Sequence, residues 1–172
     1  MEHSQAQLEE HERFMRAALE EAMVAQELGE VPIGAVVTYD GKVIGAGHNM
    51  RETWRDPTAH AEVIAIRQAA RRLNSWRLTG SRLYVTIEPC AMCAGALVLS
   101  RIDHLIFGAA DSKAGAVCSL YNITADARLN HQLVVTGGIL KQECGELMQQ
   151  FFRRLRRRPG YNKKAGIPEG ES

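Results

Sequence analysis

Apolar positions in the first third of the chain change from a helical spacing to a strand spacing. Over residues 14–25 they recur every three or four residues, which predicts a helix that ends near Leu28. Residues 33–39 and 42–49 are short runs rich in Val and Ile. Asp40-Gly41, between these runs, is the dipeptide typical of a two-residue hairpin. The pattern therefore predicts one helix followed by an antiparallel pair of strands.

A second helix is predicted to begin at Asp56-Pro57, because an acid suits the N-cap and proline suits the first helical position. This helix should run to about Leu73. Its buried side is expected to consist of four apolar residues: Val63, Ile64, Ile66 and Ala70.

The rest of the chain continues the alternation of strands and helices. Strands are predicted over residues 83–87, 104–108 and 132–136, and helices over residues 90–100 and 139–158. The linker before the last strand is long enough for a crossover, so the fourth and fifth strands can pair in parallel. The sequence predicts an α/β fold in which a five-stranded mixed sheet has helices on both faces.

Length and composition favour one globular domain. The chain has 172 residues, of which 45% are hydrophobic and 24% charged. We expect the domain to span residues 1–158 and residues 159–172, rich in Gly, Pro, Lys and Glu, to form a flexible tail. No run approaches the roughly 18 apolar residues of a membrane span, and the N-terminus is acidic and polar. A cytosolic protein without a membrane partner is expected.

Charge is segregated along the chain. Residues 1–30 hold eight acidic and two basic residues, whereas residues 151–164 hold seven basic residues and no acidic one. Phe151 and Phe152 open this basic segment. It is either the solvated face of a helix or an element that contacts the phosphates of a nucleic acid.

Two short motifs carry the candidate chemistry. Cys90 and Cys93 form a Cys-x-x-Cys pair in a chain with four cysteines, which indicates metal binding or redox chemistry. Pro89 is expected at the first helical position, which places both thiols on one face of the opening turn. His60 and Glu62 are expected in the first turn of the second helix. A redox function explains neither His60 nor Glu62, whereas a zinc site explains all four residues.

The number of ligands favours a catalytic zinc. Two thiolates and one imidazole make three protein ligands, and structural zinc usually takes four. Zinc makes water more acidic, and the carboxylate of Glu62 can take the water's proton and pass it to a leaving group. This chemistry suits the hydrolytic loss of ammonia. In the alternative, Cys118 completes a structural Cys3His site, which leaves Glu62 without a function.

His60-Ala61-Glu62 followed by Pro89-Cys90-x-x-Cys93 resembles the motif pair of the zinc nucleobase deaminases. The longer runs 31–35, 56–62, 83–86 and 88–95 are similar to those of the bacterial tRNA-specific adenosine deaminases. The resemblance covers roughly residues 14–156 and includes Asp111-Ser112-Lys113-Ala114-Gly115.

This resemblance implies a cytidine-deaminase-like three-layer α/β/α sandwich, a homodimer, and conversion of adenosine to inosine at the wobble position of a tRNA anticodon, with no DNA partner. By matching position, one zinc per chain is held by His60, Cys90 and Cys93, and Glu62 shuttles protons. Asn49 matches the residue that contacts the target base. The positions that match contacts to the RNA loop are Asp111, Lys113, Asn130, Phe152 and Arg156. Each of these five also has an ordinary interpretation as a turn, capping or helix-surface residue.

Two other functions remain open at this point. The same zinc motif serves small-molecule deaminases that act on guanine or cytosine, although the basic segment and the 111–115 loop argue against them. A non-catalytic zinc module that binds RNA is the second alternative, and Glu62 argues against it. His48, Tyr121-Asn122 and residues 124–128 depart from the choices common in the family, so we expect any difference from the family in the tRNA bases that are recognised rather than in the reaction.

Overall fold

The structure, a computed structural model, describes residues 4–160. Five helices and five strands lie in this range, with one 3-10 turn at Ile123–Ala125. The helices are α1 (Gln5–Glu27), α2 (Arg51–Trp54), α3 (Ala61–Leu73), α4 (Ala91–Ser100) and α5 (Lys141–Arg156). The strands are β1 (Gly34–Tyr39), β2 (Lys42–His48), β3 (Arg82–Ile87), β4 (His104–Ala109) and β5 (Val134–Gly137). The short helix α2 was not predicted from the sequence.

The strands form one mixed sheet in the order β2-β1-β3-β4-β5. β1 pairs antiparallel with β2 and β3, whereas β4 pairs in parallel with β3 and β5. In the hairpin turn Asp40 and Gly41 have φ values of 48° and 68°, the left-handed conformation that a type I′ turn requires at both positions. The predicted hairpin and the parallel pairing of the last two strands are confirmed.

Helices cover both faces of the sheet, because successive side chains of a strand point to opposite faces. Ala35 and Val37 of β1 belong to the hydrophobic cluster formed with α3 and α4. Val36, between them, belongs to the second cluster, formed with α1 and α5. The predicted three-layer α/β/α sandwich with a five-stranded mixed sheet is confirmed.

The predicted start of the second helix is wrong. Asp56 does not cap a helix; its carboxylate accepts hydrogen bonds from the backbone N–H and the hydroxyl of Thr58, at 2.8 and 2.7 Å. This local turn satisfies the aspartate within the loop, and α3 begins only at Ala61, with His60 as its N-cap.

The predicted buried face of that helix is confirmed only in part, because Ile66 and Ala70 pack against the core but the fully buried residues are others. The residues of α3 that are buried are Ala61, Glu62, Ala65 and Ala69, whereas Val63, Ile64, Ile66 and Ala70 are only partly buried. The cause lies in β2, where a Cβ atom on Gly45 or Gly47 would collide with the backbone of α3. Helix and strand approach so closely that only alanine-sized side chains fit between them.

The other predicted ends agree with the structure to within two residues. Among residues 4–160, no helix combines the length and the apolar character that a membrane span requires. Pro159 and Gly160 are exposed, and the remainder of the expected tail lies outside the described residues, so the domain boundary at residue 158 stays a prediction.

Candidate metal centre and active site

His60, Cys90 and Cys93 come together at the N-terminal ends of two neighbouring helices. His60 is the N-cap of α3, Cys90 is the N-cap of α4, and Cys93 lies in the first turn of α4. Pro89 therefore precedes the N-cap, and its predicted place at the first helical position is wrong by two residues. The i, i+3 spacing nevertheless puts both thiols on one side of the helix start.

The distances between the three side chains fit a tetrahedral metal ion. The Nδ1 atom of His60 lies 3.6 Å from the Sγ atom of Cys90 and 3.5 Å from the Sγ atom of Cys93. With Zn–S bonds of about 2.3 Å and Zn–N bonds of about 2.0–2.1 Å, a thiolate and an imidazole on one tetrahedral zinc lie about 3.6 Å apart. Among the described residues, this is the group of three whose ligand atoms all lie within 4.8 Å of one another, and Cys118 is not part of it.

The two thiols are electrostatically coupled. A hydrogen bond from the Cys93 thiol, opposed by burial and aided by one from His60, lowers the pKa of the Cys90 thiol to about 3. Both helix N-termini also place their positive ends beside these sulfur atoms. The cluster therefore favours a thiolate at Cys90, the form that binds a metal, whereas the hydrogen bond to Cys90 and burial raise the pKa of the Cys93 thiol.

Glu62 lies beside the cluster without belonging to it. It occupies the first turn of α3, two residues after His60, and its side chain is 3% exposed. Burial raises the pKa of its carboxyl group. A carboxyl group with a raised pKa, beside the three candidate metal ligands and open to a pocket, has the properties of a general acid and base.

A pocket of about 860 Å³ opens above the cluster. His60, Glu62 and Cys90 line its floor. Its walls come from the segment before β1, the end of β2, the loop after β4 and the outer part of α5. The wall residues include Val31, Ile33, Asn49, Arg51, Asp111, Lys113, Met148, Gln149, Phe152, Arg153 and Arg156.

Asn49 follows β2 and is buried at the pocket wall. Its Nδ2 atom donates to a carboxylate oxygen of Glu30, 3.4 Å away. The other oxygen of Glu30 accepts from the backbone N–H of Thr53 in α2, at 2.6 Å. Glu30 thus joins the end of β2 to the short helix α2, and it fixes which end of the Asn49 amide is turned away from the pocket.

Asp111 and Lys113 lie at the rim of the pocket, on the loop after β4. The Asp111 carboxylate accepts from the backbone N–H groups of Lys113 and Ala114, at 2.9 and 3.2 Å. Asp111 therefore forms the turn that carries Lys113, whose own side chain is exposed.

The outer wall of the pocket is the C-terminal half of α5. Phe152 and Arg156 line it, together with Arg153. Phe152 packs edge-to-face against Phe151, with ring centroids 5.4 Å apart. Asn130 is exposed in the segment before β5 and does not line this pocket, so the structure does not bring it to the other predicted residues.

Sequence reasoning missed two buried acids beside the site, Glu30 and Glu88. Glu88 directly follows β3 and is 1% exposed. Burial opposes its charged form, but hydrogen bonds from Ser119 and from the backbone N–H groups of Cys118, Ser119 and Asp111 lower its pKa to about 2. The one signal for Glu88 in the sequence was an acid between an apolar strand and Pro89-Cys90.

Sequences of known proteins match most of the length of this chain. The family model of the MafB19-like deaminases matches residues 9–156. The tRNA-specific adenosine deaminase of Bacillus subtilis is 49% identical over 147 residues, which are 86% of this chain and 91% of that protein.

Solved structures of deaminases have a similar fold. A chain from biochemical and structural studies of A-to-I editing by tRNA:A34 deaminases matches with a TM-score of 0.76 and 44% identity, over 78% of this chain and 98% of its own. The protein NE0047 in complex with 2,6-diaminopurine matches with a TM-score of 0.74 and 25% identity, over 90% of this chain and 86% of its own. By the extent of the family match and by its identity to these relatives, the chain belongs to the MafB19-like deaminases and, among them, to the family of the tRNA-specific adenosine deaminases.

Proposed function

We propose that this protein converts adenosine to inosine by hydrolysis at the wobble position, position 34, of a tRNA anticodon. One observation carries the proposal: the cluster of His60, Cys90 and Cys93, with Glu62 beside it, lies at the floor of a pocket whose outer wall carries Arg153 and Arg156. The floor supplies the chemistry of a deaminase, and the arginines supply contacts for phosphate groups.

One zinc ion per chain would be held by the imidazole of His60 and the thiolates of Cys90 and Cys93. The donor set and the separations of about 3.5 Å between imidazole and thiols support this assignment. When bound, zinc acts as a Lewis acid that makes water nucleophilic near neutral pH.

Glu62 would move the protons of the reaction. Its carboxylate takes a proton from the water that attacks C6 of adenine and delivers it to N1 of the ring. The same carboxyl group carries the second proton to the departing amino group. The C6–N6 bond breaks, ammonia leaves, and the new C6 oxygen remains as the carbonyl of inosine. Adenosine and one water thus give inosine and one ammonia.

The substrate base must leave its stack to reach this floor. Asn49, which lines the pocket, would bind the edge of the flipped base, because its amide offers both a donor and an acceptor. Asp111, Lys113, Phe152 and Arg156 would hold the flanking nucleotides of the anticodon stem-loop at the pocket rim. Asn130, outside the pocket, would contact RNA further from the reacting base.

A homodimer is part of the proposal. Exposed apolar side chains lie on α4 and on the segment that follows β4, and Leu99 is 70% exposed. The others on these two segments are Met92, Leu120 and Tyr121. A second copy of the chain that covers them would remove apolar surface from water. The cytosolic location expected from the sequence stays a prediction.

The test is to incubate the zinc-loaded protein with tRNA and, separately, with adenosine, adenine, guanine and cytidine. We expect inosine at position 34 of tRNA, seen by nuclease digestion and mass spectrometry. Ammonia release from guanine or cytidine without tRNA editing would select the small-molecule deaminase. RNA binding without any turnover would select the non-catalytic zinc module.

A further inference from the structure

The loop after β4 is hydrogen-bonded at both of its ends to one buried side chain, that of Glu88. Glu88, directly after β3, is 1% exposed. One of its carboxylate oxygens accepts from the backbone N–H groups of Val117, Cys118 and Ser119, at 3.2, 2.8 and 2.9 Å. The other accepts from the backbone N–H of Asp111, at 3.0 Å, and from the hydroxyl of Ser119. One carboxylate therefore binds both ends of the segment 111–119.

The same segment is held against the start of α4. The backbone N–H of Ala116 donates to the carbonyl of Pro89 at 2.8 Å, and Gly115 forms a β-bridge with Cys90. A Cβ atom on Gly115 would collide with the carboxyl group of Glu88 and with the carbonyl of Asp111. The loop is thus packed onto Glu88 and onto a metal ligand with no room to shift.

Glu88 has little capacity left for chemistry of its own. An ionised carboxylate offers about four lone-pair sites, and Glu88 accepts five hydrogen bonds. It is also not part of the metal-ligand cluster of the described residues. Glu88 also lines the pocket, but its hydrogen bonds go to the loop: it accepts from the backbone N–H of Asp111, and the Asp111 carboxylate folds the turn that presents Lys113.

We propose that Glu88 is a positioning residue for the nucleic-acid substrate, which fixes Asp111 and Lys113 at the pocket rim relative to the metal cluster. This inference rests on the proposed function, and it assigns to Glu88 an effect on RNA that is exerted through the loop. Glu88 touches neither the base nor the metal in this scheme.

The test is a double-mutant cycle with Glu88→Gln and Lys113→Ala. Glutamine keeps the size of the side chain but turns an NH2 group toward at least one of the N–H donors that Glu88 binds. We expect Glu88→Gln to lower kcat/KM for an anticodon stem-loop on the order of tenfold, mainly through KM, because a displaced rim misplaces the RNA. Zinc content per chain should stay at the wild-type level.

The cycle separates positioning from general stability. In the Lys113→Ala background, Glu88→Gln should cost clearly less than in the wild type, because the group that it positions has been removed. Glu20→Gln, the same change at an exposed site of α1, is the matched control. Equal losses in both backgrounds, or a loss that follows zinc content or the Tm, would overturn the proposal.

Two further variants keep the test decisive if Glu88→Gln does not fold. Ser119→Ala removes one hydrogen bond from the same carboxylate, and Gly115→Ala displaces the loop from its own side. Both should weaken binding of a labelled stem-loop, measured by fluorescence anisotropy, with zinc retained. Wild-type affinity in both variants would contradict the inference. Absence of inosine from wild-type reactions would contradict the proposed function instead, and the binding measurement would still report on Glu88.

Discussion

Asn49 and Glu30, nineteen positions apart in the chain, meet in a buried hydrogen bond of 3.4 Å at the wall of the pocket. The Nδ2 atom of Asn49 faces Glu30, because the amide nitrogen donates and the carboxyl oxygen of Glu30 accepts. The carbonyl oxygen and the second N–H of the amide are then left in a fixed orientation. This contact gives the Asn49 amide a defined donor and acceptor pattern at the pocket wall.

Asn49→Ala should lower the single-turnover rate at saturating tRNA. The base would be held less firmly for attack at C6, and a hydrogen bond of this kind is worth about 0.5–1.5 kcal/mol, or roughly 2- to 10-fold in rate. Rapid-quench measurement of inosine formation checks this. A change in affinity with an unchanged saturating rate would make Asn49 a docking residue.

Glu62→Gln should retain zinc and lose turnover. A carboxamide has nearly the same size but cannot accept the proton of the attacking water. General acid–base groups contribute about 100- to 10,000-fold, and Glu62 serves several proton transfers, so the loss should reach the upper end of that range. Zinc is measured by metal analysis on the same samples, with Glu20→Gln as the control. Near-normal activity in a zinc-loaded mutant is incompatible with the mechanism.

Substitution of single cysteines should distinguish a zinc ligand from a cysteine outside the cluster. Cys93→Ala should lose zinc and activity, and its Tm should fall because the metal binds the folded state. Cys118→Ala should keep one zinc per chain, because the exposed Cys118 is outside the cluster. A chelator should abolish activity and added zinc should restore it. Loss of zinc in Cys118→Ala would instead favour the four-ligand structural site.

The arginines at the C-terminal end of α5 should contribute unequally to tRNA binding. The sequence predicts that neutralising Arg153, Arg154, Arg156, Arg157 and Arg158 weakens tRNA binding, yet the structure places only Arg153 and Arg156 on the pocket wall. A plot of log binding constant against log salt concentration has a negative slope. Replacing that pair by glutamine should make this slope less negative by about 0.7 for each RNA phosphate that the protein no longer neutralises.

The matched control for this experiment is Arg154→Gln with Arg157→Gln, since these two exposed residues do not line the pocket. Titrations over one salt range compare the three proteins. Equal slopes in all three would assign the whole basic segment to a solvated helix end.

Features set by nearby residues were predictable from the sequence. Asp40-Gly41 determines its own turn, and the spacing of Cys90 and Cys93 on one helix start follows from helix geometry. The start of α3 was not predictable by the same reasoning. Asp56-Pro57 has the residue types of a helix start, but Asp56 binds Thr58 in a local turn, an alternative that the same residue types allow.

Contacts between distant parts of the chain explain the remaining differences. The buried face of α3 could be read only in part from its own residues, because the glycines of β2 decide how close the helix lies. Glu30 and Glu88 bind partners 19 to 31 positions away, so no local pattern identifies them. The cluster of His60, Cys90 and Cys93 could be predicted because these residue types in this pattern are specific, even though His60 is distant from the cysteines in sequence.

The two glycines of β2, Gly45 and Gly47, also link the position of the candidate metal site to substitutions in the hairpin. Gly47 lies against the backbone of Ala61, the residue that follows His60. Gly47→Ala would push the start of α3 away from the sheet and separate His60 from Cys90 and Cys93, so the substitution should weaken zinc affinity although position 47 has no atom in the site. A hairpin transplanted from a distant deaminase would therefore have to keep glycine at positions 45 and 47, or the recipient would lose metal together with its native strand.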